Sequence, residues 1–184
     1  MIVSLIGYRG SGKSTVGRLL AGHLGDARFV DTDIEVERIA GRSIAEIFAA
    51  DGEAAFRDLE ASALLRVLDG DDGEQSLVLA TGGGIILRGA NRVRLREAGP
   101  VVWLTASAEC LALRINADAD AGVERPALTG RSAAAEVREV LERRRDLYMQ
   151  TATITEPTED RTAGEIAASI IQRFMTASPE GRPG

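Results

Sequence analysis

The sequence predicts a three-layer α/β/α fold, in which helices cover both faces of a five-stranded parallel sheet. Short apolar runs alternate with helical patterns, no fixed internal repeat is present, and the first run leads into a glycine-rich loop and a helix. Strands that alternate with helices require right-handed crossovers and a parallel sheet that is covered on both sides. The predicted strands are residues 2–6, 28–31, 77–80, 101–104 and 152–155.

The loop after the first predicted strand reads GYRGSGKS at residues 7–14 and fits the P-loop pattern G-x-x-x-x-G-K-[ST]. Such a loop turns backbone N–H groups onto phosphate oxygens, while its lysine adds a positive charge and its serine hydroxyl ligates Mg²⁺. The helix that follows directs its N-terminus at the anion. An ordinary glycine-rich turn is the alternative. The predicted phosphate contacts are Gly10, Ser11, Gly12, Lys13, Ser14 and Thr15.

Lys13 is the only lysine in the chain, since the other 21 of the 22 basic residues are arginine. A lysine ammonium is a compact point charge on a flexible stem, whereas an arginine guanidinium is a planar fork. The presence of lysine at this one position indicates that the loop requires a point charge.

The composition indicates one globular domain of 184 residues, with 45% hydrophobic and 27% charged residues. The net charge of −6 argues against binding to nucleic acid or to an acidic membrane surface. The single cysteine, Cys110, excludes an internal disulfide and is typical of a reducing compartment. No apolar stretch has membrane-spanning length, and the chain begins directly with a strand. We therefore expect a cytoplasmic protein, and we expect it to be monomeric.

The domain is expected to span residues 1–176, followed by a flexible tail at 177–184. Residues 116–132 are small, polar and glycine-punctuated, which predicts a mobile loop. A capping box is predicted at the first of four further helices, with Ser43 followed by Glu46. These helices are residues 42–48, 53–68, 133–148 and 163–175.

Asp31 and Asp33 lie at the carboxyl end of the second predicted strand, which Asp31 ends. Because the carboxyl ends of parallel strands open onto the ligand crevice, both carboxylates are expected beside the P-loop. Mg²⁺ and a reacting hydroxyl both need oxygen partners at such a place. The alternative is that an aspartate caps the helix that begins here. Capping accounts for one aspartate and does not explain the second, which is predicted to bind the metal or the reacting hydroxyl.

Gly82, Gly83 and Gly84 follow the third predicted strand, again at its carboxyl end. Three glycines cost backbone entropy, so they fit best where a ligand approaches the main chain closely. A flexible turn is the alternative.

Arg144 occupies the apolar stripe of its predicted helix, at a turn where the spacing requires an apolar residue. Arg143 and Arg145 fall to the sides and are predicted to be solvated. A charge on an inward face needs an anionic partner, so Arg144 is predicted to bind an anion. Arg57 has two interpretations, as a binding residue or as a surface partner of Glu60 at i,i+3.

Six motifs, in chain order over about residues 3–175, resemble those of the shikimate kinase family: GYRGSGKST, DTD, FRDLE, TGGG, RPAL and RRRDLY. P-loops are widespread, but this ordered set is specific. The resemblance implies transfer of the γ-phosphate of ATP, with Mg²⁺, to the 3-hydroxyl of shikimate. It also implies a P-loop kinase fold of the nucleoside-monophosphate-kinase type, with a lid over the nucleotide at about residues 116–132.

The resemblance implies roles for the residues around the transferred phosphate. Lys13 would hold the β- and γ-phosphates, Ser14 would ligate Mg²⁺, and Asp31 would bind the metal through water. Asp33 would orient the shikimate hydroxyl and accept its proton. Arg125, just before Pro126 in the lid, would swing onto the transferring phosphate.

The resemblance also implies how the two substrates are held. Arg57 and Arg144 would grip the shikimate carboxylate, a geometry that suits bidentate guanidinium groups, and residues 82–84 would approach the ring. Arg114 would lie near the adenine, and Arg161 is a candidate adenine neighbour. The chain departs from the family in a longer stretch between Arg114 and the lid arginine. It departs again at residues 155–164, TEPTEDRTAG, which replace the usual turn before the last helix.

Three alternatives stay open at this point. Another small metabolite or nucleotide kinase would share the P-loop, and gluconate, like shikimate, carries a carboxylate. A regulatory GTPase is disfavoured, because its Asn/Thr-Lys-x-Asp box needs a lysine after position 13. A non-catalytic nucleotide-binding module is the third, although Lys13, Asp33 and Arg125 argue against it.

Overall fold

The chain folds into a sheet of five parallel strands in the order β2-β3-β1-β4-β5. The computed structural model describes residues 1–25, 27–70, 75–120 and 133–177. The predicted five-stranded parallel sheet is confirmed. The strands are β1 Ile2–Ile6, β2 Arg28–Asp31, β3 Leu77–Ala80, β4 Val101–Thr105 and β5 Ile154–Pro157.

Helices connect the strands and, within the described ranges, none has both the length and the apolar character needed to cross a bilayer. A short 3₁₀ turn at Ile85–Leu87 follows β3. The helices are α1 Lys13–His23, α2 Thr32–Ala40, α3 Ile44–Asp69, α4 Gly89–Ala98, α5 Ala108–Asp120, α6 Ala133–Thr151 and α7 Ala163–Ala177.

Helices cover both faces of the sheet. Successive side chains along a strand point to opposite faces, so each strand places apolar side chains against the helices on both sides. On one face, Val3 and Leu5 of β1 lie in a buried cluster with apolar residues of α1 and α7. On the other face, Ile6 of β1 and Leu79 of β3 lie in a cluster with residues of α3, α4 and α6. The predicted three-layer arrangement is therefore confirmed.

Helix α3 joins the two helices predicted at residues 42–48 and 53–68. Its backbone leaves helical geometry at Gly52, where φ is 79°. The predicted capping box is present: Ser43 Oγ accepts from the Glu46 N–H (3.2 Å), and Glu46 Oε2 accepts from the Ser43 N–H (2.7 Å). The bend lets α3 pack against α2 at its start and against the sheet near its end.

The fifth strand begins at Ile154, two residues later than predicted. The threonines at 151–155 favour a strand, but they cannot show where the preceding helix ends. Helix α6 runs to Thr151, and the Ala152 N–H still donates to the Tyr148 carbonyl (2.9 Å). Bonding to β4 begins at Thr153, whose N–H donates to the Val101 carbonyl (2.8 Å).

Helix α5 corrects the prediction of a loop at residues 116–132, because it continues to Asp120. The alanines in this stretch favour continuation of the helix. Residues 121–132, which include Arg125, lie outside the described residues, as do residues 178–184 of the predicted tail. The mobile lid and the flexible tail stay predictions.

Candidate active site

Two adjoining cavities open at the carboxyl ends of β1, β2 and β3, with volumes of ≈ 520 and ≈ 530 Å³. The P-loop, Arg114 and Arg161 line the first cavity, and Arg57, residues 82–84 and Arg144 line the second. The predicted site residues that the structure describes therefore meet in one place. Five residues line both cavities and form what we call the shared wall: Arg9, Ser14, Asp31, Asp33 and Gly83.

The P-loop connects β1 to α1 through backbone conformations that favour glycine. Gly10 and Gly12 have φ values of 77° and 88°, and Gly12 is the N-cap of α1. Among the residues that the structure describes, no side chain caps this helix end. An α-helix leaves its first backbone N–H groups without carbonyl partners in the helix, so a helix N-terminus favours an anion.

Lys13 is buried within the loop that it belongs to. Its ammonium Nζ donates to the carbonyls of Gly7 (2.9 Å) and Tyr8 (2.8 Å) and lies 3.4 Å from Ser11 Oγ. A compact ammonium with three rotatable donors can make these short contacts around one point. A planar guanidinium, with its donors spread over a fork, cannot reproduce them.

Asp31 caps α2 and also binds the P-loop. Its Oδ1 accepts from the Asp33 N–H (3.0 Å) at the N-cap of α2, and its Oδ2 accepts from Ser14 Oγ (2.6 Å). The capping interpretation and the binding interpretation of Asp31 are therefore compatible, because each uses a different carboxylate oxygen.

The pair of Ser14 and Asp31 fits Mg²⁺ in its donor chemistry. A hydroxyl and a carboxylate are the hard oxygen ligands that this ion prefers, and they lie together on the shared wall. Within the described residues, no group of three or more His, Cys, Asp or Glu side chains could hold a metal ion alone. Such a pair suits a Mg²⁺ that is shared with substrate phosphates, which is the usual way this ion is bound.

Asp33 and Glu60 meet at Gly82, where the absence of a side chain leaves room for both carboxylates. A Cβ placed on Gly82 would lie 2.6 Å from Asp33 Oδ1 and 2.7 Å from Glu60 Oε1. Burial raises the pKa of Glu60, Arg57 and Arg144 oppose that shift, and the charge of Asp33 adds to it. The net direction is upward, so Glu60 holds its proton more strongly than an exposed glutamate.

Glu60 is a site residue that the sequence reasoning treated only as a surface partner of Arg57. Its side chain is 1% exposed and lines the second cavity. The signal that could have identified it is the one that identified Arg144, a charge on the inward stripe of a helix. Glu60 lies one turn from Phe56 and one turn from Ala63, which are both buried.

The Arg57 guanidinium lies against the glycine loop and is held by two carboxylates. Its Nη1 donates to Glu60 Oε2 (2.9 Å) and its Nη2 donates to Glu53 Oε1 (3.0 Å). A Cβ at Gly84 would overlap the guanidinium, so glycine permits this approach. Burial lowers the pKa of Arg57, but the charges of Glu60 and Glu53 outweigh it and the pKa rises. The predicted i,i+3 pair exists, yet it lines a cavity instead of the surface.

Arg144 lines the second cavity from α6, whereas Arg143 and Arg145 are exposed, as the helical spacing predicts. Its Nη1 donates to the Gly83 carbonyl (3.2 Å). A guanidinium has five N–H donors, so Arg144 has further N–H groups that can bind a ligand. Arg57 and Arg144 are two of the guanidinium groups that line the second cavity, and a pair of such groups suits a small carboxylate.

Arg114 and Arg161 order the loop that follows β5, on a wall of the first cavity. Arg114 Nη2 donates to the Thr158 carbonyl (2.8 Å), and its Nη1 donates to Thr158 Oγ1 (3.0 Å). Arg161 Nη1 donates to the buried Glu156 (2.5 Å) and to the Pro157 carbonyl (2.9 Å). Their contact with adenine stays a prediction, and so does the role of Arg125.

Comparison with protein families and named relatives gives a consistent result. The family model for shikimate kinase matches residues 9–175. The shikimate kinase of Symbiobacterium thermophilum is 41% identical over 182 residues, which cover 98% of this chain and 100% of that protein. The shikimate kinase of Nitratidesulfovibrio vulgaris is 47% identical over 150 residues, which cover 82% of each chain.

Solved structures show the same likeness in three dimensions. The structure of shikimate kinase from Acinetobacter baumannii in complex with shikimate has a TM-score of 0.86 and 35% identity, over 97% of this chain and 95% of that one. A gluconokinase from Sinorhizobium meliloti has a TM-score of 0.56 and 19% identity, over 96% of this chain and 97% of that one. The second likeness shows the fold alone.

Proposed function

The chain belongs to the shikimate kinase family, and on that premise we propose that it transfers the γ-phosphoryl group of ATP to the 3-hydroxyl of shikimate. The products are shikimate 3-phosphate and ADP, and the reaction is a step of chorismate and aromatic amino-acid biosynthesis. The observation that carries the proposal is the shared wall. Through it, a phosphate-binding cavity adjoins a cavity that Arg57 and Arg144 line, and the residues between them suit metal binding and proton transfer.

The first cavity would bind ATP, with its phosphates on the P-loop. Phosphoryl transfer demands alignment of the reacting groups and neutralisation of charge more than covalent chemistry. The N–H groups at the start of α1 and the Lys13 ammonium meet the second demand. To reach a phosphate, Lys13 exchanges its bonds to the Gly7 and Tyr8 carbonyls for phosphate oxygens. Ser14 and Asp31 would hold Mg²⁺, which when bound neutralises charge on the β- and γ-phosphates.

The second cavity would bind shikimate. Arg57 and Arg144 would hold its carboxylate, and the glycine loop would let the ring approach the main chain. Asp33, on the shared wall, would accept the proton of the 3-hydroxyl as that oxygen attacks the γ-phosphorus. Because Asp33 lies between the cavities, one carboxylate can face the hydroxyl and the phosphate together.

The predicted lid completes the proposal. Closure of the segment after α5 would bring Arg125 to the transferring phosphate and exclude water, which would otherwise accept the phosphoryl group. We further propose that the enzyme is cytoplasmic and acts as a monomer. The monomeric state is supported by one chain's contributing residues to both cavities.

The test is an ATP-coupled assay of ADP release with shikimate, gluconate, AMP and CMP as acceptors. We expect shikimate to give a kcat/KM far above the other three, because only its carboxylate and ring hydroxyls match both the arginine pair and the glycine loop. Preference for gluconate would redirect the assignment to another small-metabolite kinase. Absence of turnover with all four would favour a non-catalytic module.

A further inference from the structure

The Gly83 carbonyl accepts two hydrogen bonds from α6, although Gly83 belongs to the loop after β3. Tyr148 donates its hydroxyl at 2.8 Å, and Arg144 donates Nη1 at 3.2 Å. Of the three glycines, Gly83 lines both cavities, so its peptide lies where the two substrates would meet. The two donors therefore act on a peptide at the centre of the site.

The Tyr148 side chain is fixed in the core of the protein. It is fully buried, and its ring stacks on Trp103 of β4, with centroids 5.2 Å apart and planes at 10°. A ring held in this way cannot swing its hydroxyl away from Gly83. Arg144 is less constrained, since it lies partly exposed in the second cavity, one helical turn before Tyr148.

The protonation state of Tyr148 suits a role as hydrogen-bond donor. Burial raises its pKa to about 12, although the charge and hydrogen bonding of Arg144 act in the opposite direction. The hydroxyl is therefore protonated at neutral pH and donates to Gly83, while its oxygen still has lone pairs for the guanidinium.

We propose that Tyr148 is a positioning residue for shikimate, and that its hydroxyl holds the Gly83 carbonyl and the Arg144 guanidinium in one arrangement. The inference rests on the proposed function, because it acts through the arginine that would bind the shikimate carboxylate. Tyr148 lies outside the residues that line the second cavity, so its effect on shikimate passes through Arg144 and Gly83. Without the hydroxyl, the Gly83 carbonyl keeps one of its two donors. The peptide that anchors Arg144 is then held less firmly, so carboxylate binding loses preorganisation.

The test compares Tyr148→Phe with the control Thr151→Val. Tyr148→Phe keeps the ring and the stack on Trp103 and removes only the hydroxyl. Thr151→Val removes another buried hydroxyl of α6, one that bonds the Leu147 carbonyl (2.6 Å) and lines neither cavity. Both variants should fold, because neither leaves a buried cavity of any size.

For Tyr148→Phe we expect the KM for shikimate, and its Kd by calorimetry, to rise by roughly three- to tenfold, the effect of one hydrogen bond. The KM for ATP should stay at the wild-type value, and Thr151→Val should change neither KM. Calorimetry reports on the folded fraction directly, so a partly unfolded preparation does not obscure the result.

An unchanged shikimate Kd in Tyr148→Phe would overturn the inference. So would equal increases in both KM values, or an equal increase in Thr151→Val, because those outcomes indicate general loosening of α6. If the wild-type enzyme turns over shikimate and Tyr148→Phe has the same kcat and the same KM for shikimate, the positioning role is refuted and the proposed function is not. A wild-type enzyme without shikimate turnover would refute the proposed function and this inference with it.

Discussion

Gly82→Ala should displace the reacting carboxylate without unfolding the protein. The added Cβ would lie 2.6 Å from Asp33 Oδ1 and 2.7 Å from Glu60 Oε1, whereas ordinary contacts begin at 3.4 Å. The two carboxylates must therefore retreat by about 0.7–0.8 Å each. Both atoms are the ends of side chains, so they can move while the backbone stays in place. A displacement near 1 Å costs catalysis about 100-fold, which corresponds to about 2.7 kcal/mol in the activation free energy.

The assay measures kcat and both KM values by ADP release, with thermal unfolding followed in parallel. We expect kcat to fall about 100-fold, because Asp33 no longer faces the hydroxyl at the required distance. The KM for ATP should change little, since Gly82 lines the second cavity and not the first.

Gly22→Ala is the matched control, since the same methyl group is added where nothing lies within 4 Å. This glycine lies inside α1, so alanine should leave kcat unchanged and stabilise the fold by about 0.5–1 kcal/mol. If Gly82→Ala retains kcat within about threefold of Gly22→Ala, the carboxylate at Gly82 is not positioned for catalysis, and the role of Asp33 is wrong.

Four further predictions concern other parts of the molecule. Lys13→Ala should lower kcat by about three orders of magnitude, by analogy with other cations that neutralise a transferring phosphate, and Lys13→Arg should fail as badly; near-normal turnover of the arginine variant would contradict the point-charge argument. Arg144→Ala should weaken shikimate binding by roughly 2–5 kcal/mol and leave ATP affinity unchanged in calorimetry, whereas unfolding without a change in affinity would make the residue structural. Arg125→Ala should lower kcat more than it weakens shikimate binding. Hydrogen exchange in the predicted lid should slow when nucleotide and shikimate are both bound, and equal exchange with and without ligands would argue against a lid. Hydrogen bonds from the Ser43 hydroxyl and N–H lower the pKa of Glu46 below 4.5, so the stabilisation of the fold by the capping box is present above pH 4.5 and is lost as pH falls through the lowered pKa. The difference in unfolding free energy between wild type and Glu46→Gln should therefore shrink on acidification, and a difference that stays constant with pH would contradict this prediction.

The sequence was sufficient for those parts of the site that are encoded locally. The P-loop pattern and the glycines follow β1 and β3, and the two aspartates lie at the end of β2. Parallel topology brings these strand ends to one edge of the sheet. That rule alone places Ser14 beside Asp31, although the two are 17 positions apart. Arg144 was accessible for a related reason, since helical spacing decides which of three consecutive arginines faces inward.

The rest depends on tertiary packing that no local pattern carries. Tyr148 fits the apolar stripe of α6, so its sequence signal is that of a core residue, and its bond to Gly83 spans 65 positions. For Glu60 the sequence leaves a surface pair with Arg57 open, because an i,i+3 pair with arginine is common on exposed helices. The end of α6 and the continuation of α5 also depend on contacts outside those segments. For this reason the observed start of β5 and the observed end of α5 differ from the predicted ones.

The shared wall has a thermodynamic consequence for how the two substrates associate with the enzyme. Ser14, Asp31, Asp33 and Gly83 each border both cavities, so whatever fixes them for one substrate also changes the energy of receiving the other. Linkage then requires reciprocity: the factor by which ATP changes the affinity for shikimate equals the factor by which shikimate changes the affinity for ATP. Neither dissociation constant is therefore a property of one cavity alone.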